Sequence, residues 1–105
     1  MAQFDVYRNP VAASREAIPY LVDVQSDLLS GIPTRLTFPL GDPAVLPSAG
    51  PTALCPTVQV NGQALRVLPH LAAAFRAKDL GKSVASLAGQ ASEFVGAMDA
   101  VLSGV

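Results

Sequence analysis

The sequence predicts an α+β domain that is mainly β, with an antiparallel sheet and one C-terminal helix. Three observations predict this class. Short segments that alternate apolar and polar residues recur between residues 3 and 68, separated by turn residues. An Asn-Gly pair joins two of these segments. Residues 86–104 instead place apolar side chains at helical spacing. Strands followed by a closing helix are typical of α+β folds. At 105 residues the chain has room for one core, so we assign residues 1–105 to a single domain.

The first strand is predicted at residues 3–7, where Phe4 and Val6 fall on one face and polar neighbours and a tyrosine on the other. An Asn-Pro pair at 9–10 ends the alternation, and residues 11–17 are interpreted as a loop.

The second and third strands are predicted at residues 18–24 and 34–38. The first is rich in β-branched and aromatic residues, and the second alternates, with Leu36 and Phe38 facing inward. A Gly-Ile-Pro turn lies between them, so we expect an antiparallel hairpin, and Pro39 is expected to end its second strand.

A proline-rich loop and a second hairpin follow. Residues 41–56 contain four prolines, which exclude a regular helix and indicate a surface excursion. Residues 57–60 and 63–68 flank Asn61-Gly62, the preferred pair for a type I′ turn, because both central residues need positive φ.

The last third of the chain contains one ambiguous segment and one clear helix. Residues 70–80 have helix-forming composition. In the helix, Ser86 is the expected N-cap, Gly104 the expected end, and residues 103–105 a short exposed tail. The apolar stripe, interpreted mainly as core packing, consists of Leu87, Ala91, Phe94, Val95, Met98, Val101 and Leu102.

Composition limits the kinds of partner. Seven basic and eight acidic residues give a net charge of −1, and the basic residues are scattered, which disfavours direct binding of nucleic acid. No apolar run is long enough for a membrane span, and the N-terminus lacks the pattern of a signal peptide. Half of the residues are hydrophobic, so we expect part of the surface to be covered by a dimer or another partner.

Two residues with reactive side chains occur once each. Because Cys55 is the only cysteine, no internal disulfide can form, which suits a reducing bacterial cytoplasm. Cys55 and His70 together are too few ligands for a Cys/His zinc site. We expect neither a metal nor another cofactor. A Cys55–His70 nucleophile pair is conceivable, but a small buried thiol is the simpler interpretation. Asp23 and Asp27 could likewise be paired carboxylates, but are expected to face solvent or cap a turn.

Three stretches carry a family resemblance. They are Gln3-Phe4-x-Val6-Tyr7, the segment 21–29 with its Val-Asp-Val-Gln-Ser-Asp core, and residues 55–58 with Arg66. They resemble the QFxVY opening, the VDVQSD segment and the YPVV…WR hairpin of CcdB toxins. Phe38-Pro39-Leu40 stands where that family has an aliphatic residue followed by Pro-Leu. The similarity runs from residue 1 to 105, with a short insertion between residues 8 and 19.

The resemblance implies an SH3-like barrel of the CcdB and MazF type, with an antiparallel sheet, a small side sheet and a C-terminal helix. It places strand rather than helix within residues 70–80. It also implies a catalytically inert homodimer that binds the A subunit of DNA gyrase and traps the enzyme on cleaved DNA. A CcdA-like antitoxin would neutralise the toxin with a disordered tail that folds on binding, and operator DNA would be bound only through that antitoxin.

The resemblance also implies site residues. The antitoxin-binding positions are Arg8, Asn9 and Arg15. The gyrase-binding positions are Gln3, Phe4, Tyr7, Ser26, Leu28, Asp99, Leu102, Ser103, Gly104 and Val105. Phe4 fits a plain core position equally well. Ser103 stands where the family has tryptophan, and serine cannot stack or make a cation–π contact.

Two other functions are compatible with these residues. A non-toxic or retargeted antitoxin-binding regulator is favoured by the missing tryptophan. A MazF-like endoribonuclease is compatible with the fold. It would need basic side chains converging on RNA, and Arg35 and Arg66 are the central candidates.

Overall fold

The fold is a mainly antiparallel, nearly closed β-barrel with a C-terminal helix, as the sequence predicts. A computed structural model describes residues 2–46 and 54–104. Val105 and the middle of the proline-rich loop therefore lie outside the described residues. The strands are β1 Asp5–Arg8, β2 Tyr20–Asp23, β3 Thr34–Gly41, β4 Thr57–Val60, β5 Gln63–Val67, β6 Ala73–Arg76 and β7 Ala85–Ser86, and the helices are α1 Ala77–Leu80 and α2 Ala91–Ser103.

The strands pair in the order β4-β5-β3-β2-β1-β7, and β6 pairs with β3 beside β5. The expected hairpin of β2 and β3 is confirmed, with Val22 opposite Phe38. The hairpin of β4 and β5 is confirmed as well. Its turn residues Asn61 and Gly62 have φ values of 50° and 84°, as a type I′ turn requires.

The strand β3 continues through Pro39, so the prediction that this proline ends the strand was wrong. β3 pairs with β6 up to Thr37 and with β5 from Leu40. The Pro39 carbonyl accepts a hydrogen bond from the Leu68 N–H at 2.9 Å. In a strand, N–H and C=O of one residue point to the same side, so the missing donor of Pro39 faces the place where β3 changes partner. The sheet therefore loses few backbone hydrogen bonds at Pro39.

The segment 70–80 contains strand β6 and then the single turn α1, which confirms the strand that the family resemblance placed there. Helical propensity alone would have been misleading, since pairing with β3 overrides it in Ala73–Arg76.

The main core lies between the sheet and α2. It contains Phe4, Val6, Val22, Phe38, Leu40, Val58, Val60, Leu65, Val67, Leu87 and Phe94. A smaller cluster of Tyr7, Leu21 and Leu80 lies on the other face of β1 and β2.

The helix α2 buries less of its apolar stripe than predicted. Phe94 is buried and Met98 is half-buried, but Val95, Val101 and Leu102 are exposed. Ser86 is not the N-cap. It ends β7, and its Oγ accepts a hydrogen bond from Ala88 N, while a 3₁₀ turn leads into the helix.

Within the residues that the structure describes, no helix has the length and apolar character needed to cross a membrane.

Candidate functional site

A groove lies between α2 and the segment that connects β2 to β3. Its volume is about 360 Å³. It is lined by Gln3, Phe4, Val24, Gln25, Ser26, Leu29, Leu36, Phe38, Phe94, Val95, Met98 and Asp99. Four of the predicted target-binding residues, Gln3, Phe4, Ser26 and Asp99, therefore share this groove.

The floor of the groove is aromatic. The rings of Phe4 and Phe94 stack with centroids 5.3 Å apart, and Phe38 tilts against Phe94 at 6.5 Å. All three rings are nearly inaccessible to solvent. Phe4 thus belongs to the core and to the groove at once, which combines the two interpretations that the sequence left open.

The rim of the groove is polar. The Gln3 side chain donates from Nε2 to the Val24 carbonyl at 3.1 Å. The Ser26 Oγ accepts the Leu28 N–H at 3.2 Å, which caps a 3₁₀ turn. Asp99 lies on the exposed side of α2, and its carboxylate has no hydrogen-bond or ion-pair partner within residues 2–46 and 54–104. An apolar floor with a polar rim suits the binding of a protein segment.

The carboxyl end of α2 projects beside the groove. Leu102 is 77% exposed. Ser103 is the last helical residue rather than part of a tail, and its hydroxyl donates to the Asp99 carbonyl at 2.6 Å. Gly104 ends the helix as predicted, with φ at 73° in the left-handed region and its N–H bonded to the Ala100 carbonyl. The hydroxyl of Ser103 is therefore occupied within the helix, and Leu102 is the prominent side chain at this end.

Leu28 forms a second exposed apolar point near the groove. It lies in the 3₁₀ turn Asp27–Leu29 and is 94% exposed, while its neighbour Leu29 lines the groove. Such exposure of a leucine is unfavourable in water unless a partner covers it.

Tyr7 does not line the groove. It is 1% exposed and packs with Leu21 and Leu80 in the smaller cluster. Burial, and then the nearby carboxylates of Asp5 and Asp23, raise the pKa of its hydroxyl.

The three predicted antitoxin-binding residues lie on and beside the β1–β2 loop. The Asn9 side chain is buried and shapes the loop, since Nδ2 donates to the Ile18 carbonyl at 2.8 Å and Oδ1 accepts the Val11 N–H at 2.9 Å. Arg15 Nε donates to the Asn9 carbonyl at 2.8 Å. Arg8 is exposed at the end of β1. Two of the three therefore hold the loop, and Arg8 presents its side chain to solvent.

A buried polar network lies beneath the groove, and sequence reasoning missed it. Arg35 Nε donates to Asp23 Oδ2 at 2.7 Å, with both side chains almost wholly buried. Asp23 was expected to face solvent or cap a turn: it does not face solvent, but its other oxygen caps a turn by accepting the Gln25 N–H at 3.0 Å. The sequence signal for this network was Asp23, a carboxylate between two valines, on a strand next to the one that carries Arg35.

Neither central arginine is free for RNA. Arg35 is used by the buried network, and Arg66 Nε donates to the Cys55 carbonyl at 2.6 Å.

Cys55 itself is buried, which confirms the structural interpretation of this thiol. Burial raises the pKa of the thiol, with a smaller opposing effect from Arg66, whereas a nucleophile needs a lowered value. His70 is exposed.

The barrel, the groove and the projecting helix end define a class of small barrel proteins that carry a groove beside a C-terminal helix. No group of three potential metal-ligating side chains occurs in the described residues. The chain belongs to the CcdB family, whose model, described as CcdB protein, matches residues 3–104. Family membership implies a CcdB-like toxin. A comparison with curated proteins finds no match.

Proposed function

We propose that this protein is the toxin of a type II toxin–antitoxin module that inhibits DNA gyrase by binding its A subunit. It acts by protein binding, without catalysis or a cofactor. The observation that carries the proposal is the grouping of Gln3, Phe4, Ser26 and Asp99 around one groove beside the exposed end of α2. A surface with this arrangement suits a protein target. The chain's membership of the CcdB family supports the role of a toxin.

The contact surface of this chain lacks the aromatic residue of the family. Ser103 replaces the tryptophan, and its hydroxyl bonds back to the helix. Loss of an aromatic anchor at an interface costs about 2–4 kcal/mol, or roughly thirty- to a thousandfold in affinity. We therefore assign the contact to Leu102 and Leu28, with Gly104 and Val105 completing the end of the chain.

The partners in the module are a second copy of the chain and a CcdA-like antitoxin. The hydrophobic half of the sequence and the exposed Val101 on α2, at 38%, support a homodimer because apolar surface is favourably removed from water when covered. The antitoxin is proposed to bind near Arg8 and the loop that Asn9 and Arg15 hold. Operator DNA would be bound through the antitoxin, since the chain has a net charge of −1.

Ser103 also favours a second candidate function, a regulator that binds the antitoxin but no longer binds gyrase. In that case the helix end would have no target, and the antitoxin surface would be intact. A ribonuclease is disfavoured because Arg35 lies buried against Asp23.

Induction of the protein in bacteria separates these functions. We expect growth arrest in cells with wild-type gyrase and normal growth in an isogenic strain with a gyrase variant resistant to CcdB. Arrest in both strains, with RNA cleavage in vitro, would indicate a ribonuclease. Normal growth in both, with tight binding to a CcdA-like protein, would indicate the regulator.

A further inference from the structure

We infer that Asp27, held by Arg35, is a positioning residue that fixes the turn at residues 2–5, closed by the hydrogen bond from Asp5 N to the Ala2 carbonyl, and so forms the groove. Neither side chain lines the groove. Both act on residues that do. The role in shaping the groove stands on geometry alone, whereas its consequence for partner binding rests on the proposed function.

Arg35 joins three points of the segment after β2. Its Nε donates to Asp23 Oδ2, and its Nη2 donates to the Gln25 carbonyl at 3.0 Å and lies 3.5 Å from Asp27 Oδ1. The Gln25 side chain adds a link to β3, because its Oε1 accepts the Leu36 N–H at 2.9 Å. The segment that carries Asp27 is therefore fixed to β3 through a buried guanidinium.

Asp27 in turn holds a distant part of the chain. The oxygen that faces Arg35, Oδ1, also accepts the N–H of Gln3 at 2.9 Å. Gln3 makes its second bond to the Val24 carbonyl. The Oδ1 atom of Asp27 thus connects Arg35 of β3 to Gln3, which lines the groove.

Phe4 shows why this connection matters. Its φ is 71°, a region that bulky residues rarely adopt, so the surrounding contacts must impose it. The Phe4 N–H donates to the Asp23 carbonyl, and its carbonyl accepts the Leu87 N–H at 2.8 Å. Because the preceding residue, Gln3, is held by its hydrogen bonds, the Phe4 ring is directed onto Phe94. If Gln3 is released, Phe4 can return to negative φ and its ring leaves the floor of the groove.

The test compares Asp27→Ala with Asp27→Asn. The alanine variant removes the acceptor for Gln3 N–H, whereas asparagine keeps an oxygen in that position. Asp42→Ala is the matched control, because Asp42 caps only a local turn by accepting the Ala44 N–H at 2.9 Å. Native-state hydrogen exchange of the Gln3 and Phe4 amides and the NMR ring-to-ring contact between Phe4 and Phe94 are measured in each variant.

In Asp27→Ala we expect exchange at Gln3 to accelerate at least tenfold and the ring contact to weaken, with substantial recovery in Asp27→Asn and no change in Asp42→Ala. A lower Tm in Asp27→Ala, with the exchange at Gln3 and the ring contact both unchanged, would indicate a merely structural role. Unchanged exchange at Gln3 and an intact ring contact in Asp27→Ala would overturn the inference.

A second arm measures affinity for the purified A subunit of gyrase. We expect Asp27→Ala to weaken binding about tenfold and Asp27→Asn to restore it. Equal affinity of wild type and Asp27→Ala would overturn the positioning role in binding. Absence of binding by the wild type would refute the proposed target, and the exchange measurements would then still decide how the groove is formed.

Discussion

At the scale of single residues, the stability of this protein depends on a buried ion pair. Asp23 and Arg35 have side-chain exposures of 0% and 2%, and their 2.7 Å contact compensates charges that have lost their water. The pKa of Arg35 is raised, because its hydrogen bond and charge interaction with Asp23, aided by Asp27, together outweigh desolvation, the largest single effect, which acts to lower it. A buried pair of this kind is much more costly to break than to replace as a whole.

Arg35→Met should therefore lower the free energy of unfolding by about 3–5 kcal/mol, since it leaves the Asp23 carboxylate buried without its ion-pair partner. Urea denaturation measures the change. Arg76→Met is the control, because Arg76 pairs with Asp79 on the surface and its loss should cost at most about 1 kcal/mol. Equal losses in the two variants would contradict the importance of burial.

The thiol of Cys55 should make stability depend on alkaline pH. Burial raises its pKa in the folded chain above the ordinary value of about 8.5. The protonated thiol is favoured in the folded state, so its contribution is complete below that ordinary value and is lost as pH rises through the folded pKa. Cys55→Ala should show a shallower loss of the free energy of unfolding as the pH rises above about 8.5. Parallel pH profiles for the two proteins would contradict this account.

At the scale of elements, the hairpin of β4 and β5 shows how local chemistry sets a fold. Asn61 and Gly62 adopt positive φ without help from distant contacts, and alternation continues on both sides. Each signal lies within a few residues, and this explains why the sequence predicts the element correctly.

Gly62→Ala should lower the free energy of unfolding by about 1–2 kcal/mol, because a Cβ is unfavourable at φ of 84°. Gly31→Ala is the matched control. Gly31 lies outside the positive-φ region, and a Cβ there meets nothing within 4 Å. That variant should be neutral or stabilised by up to about 1 kcal/mol. Thermal or urea unfolding of both proteins makes the comparison, and a larger loss in Gly31→Ala would be inconsistent with the turn assignment.

Other elements depend on contacts that the sequence does not display. Pro39 remains within β3 because the strand changes partner at that point, which is a property of the pairing and not of the proline. For the same reason the family pattern indicated Gln3, Phe4, Ser26 and Asp99 as site positions, but only the tertiary fold shows that they line one groove.

At the scale of the whole molecule, the groove depends on how the sheet, α2 and the segment after β2 are held together. The sheet and α2 enclose the main core, and the segment after β2 is fixed to the sheet by Arg35. The groove and the projecting Leu102 lie at the boundary of these two parts. In the proposed function this arrangement is the surface that binds gyrase, and preformed surfaces lose little entropy on binding.

The most direct test of this account is the affinity of the purified protein for the A subunit of DNA gyrase, measured by isothermal titration calorimetry. We expect binding by the wild type, at least tenfold weaker binding by Leu102→Asp, and tighter binding by Ser103→Trp, by roughly thirty- to a thousandfold for a restored aromatic anchor. No binding by the wild type, or the same affinity in all three proteins, would contradict the claim that the end of α2 is the target-binding surface.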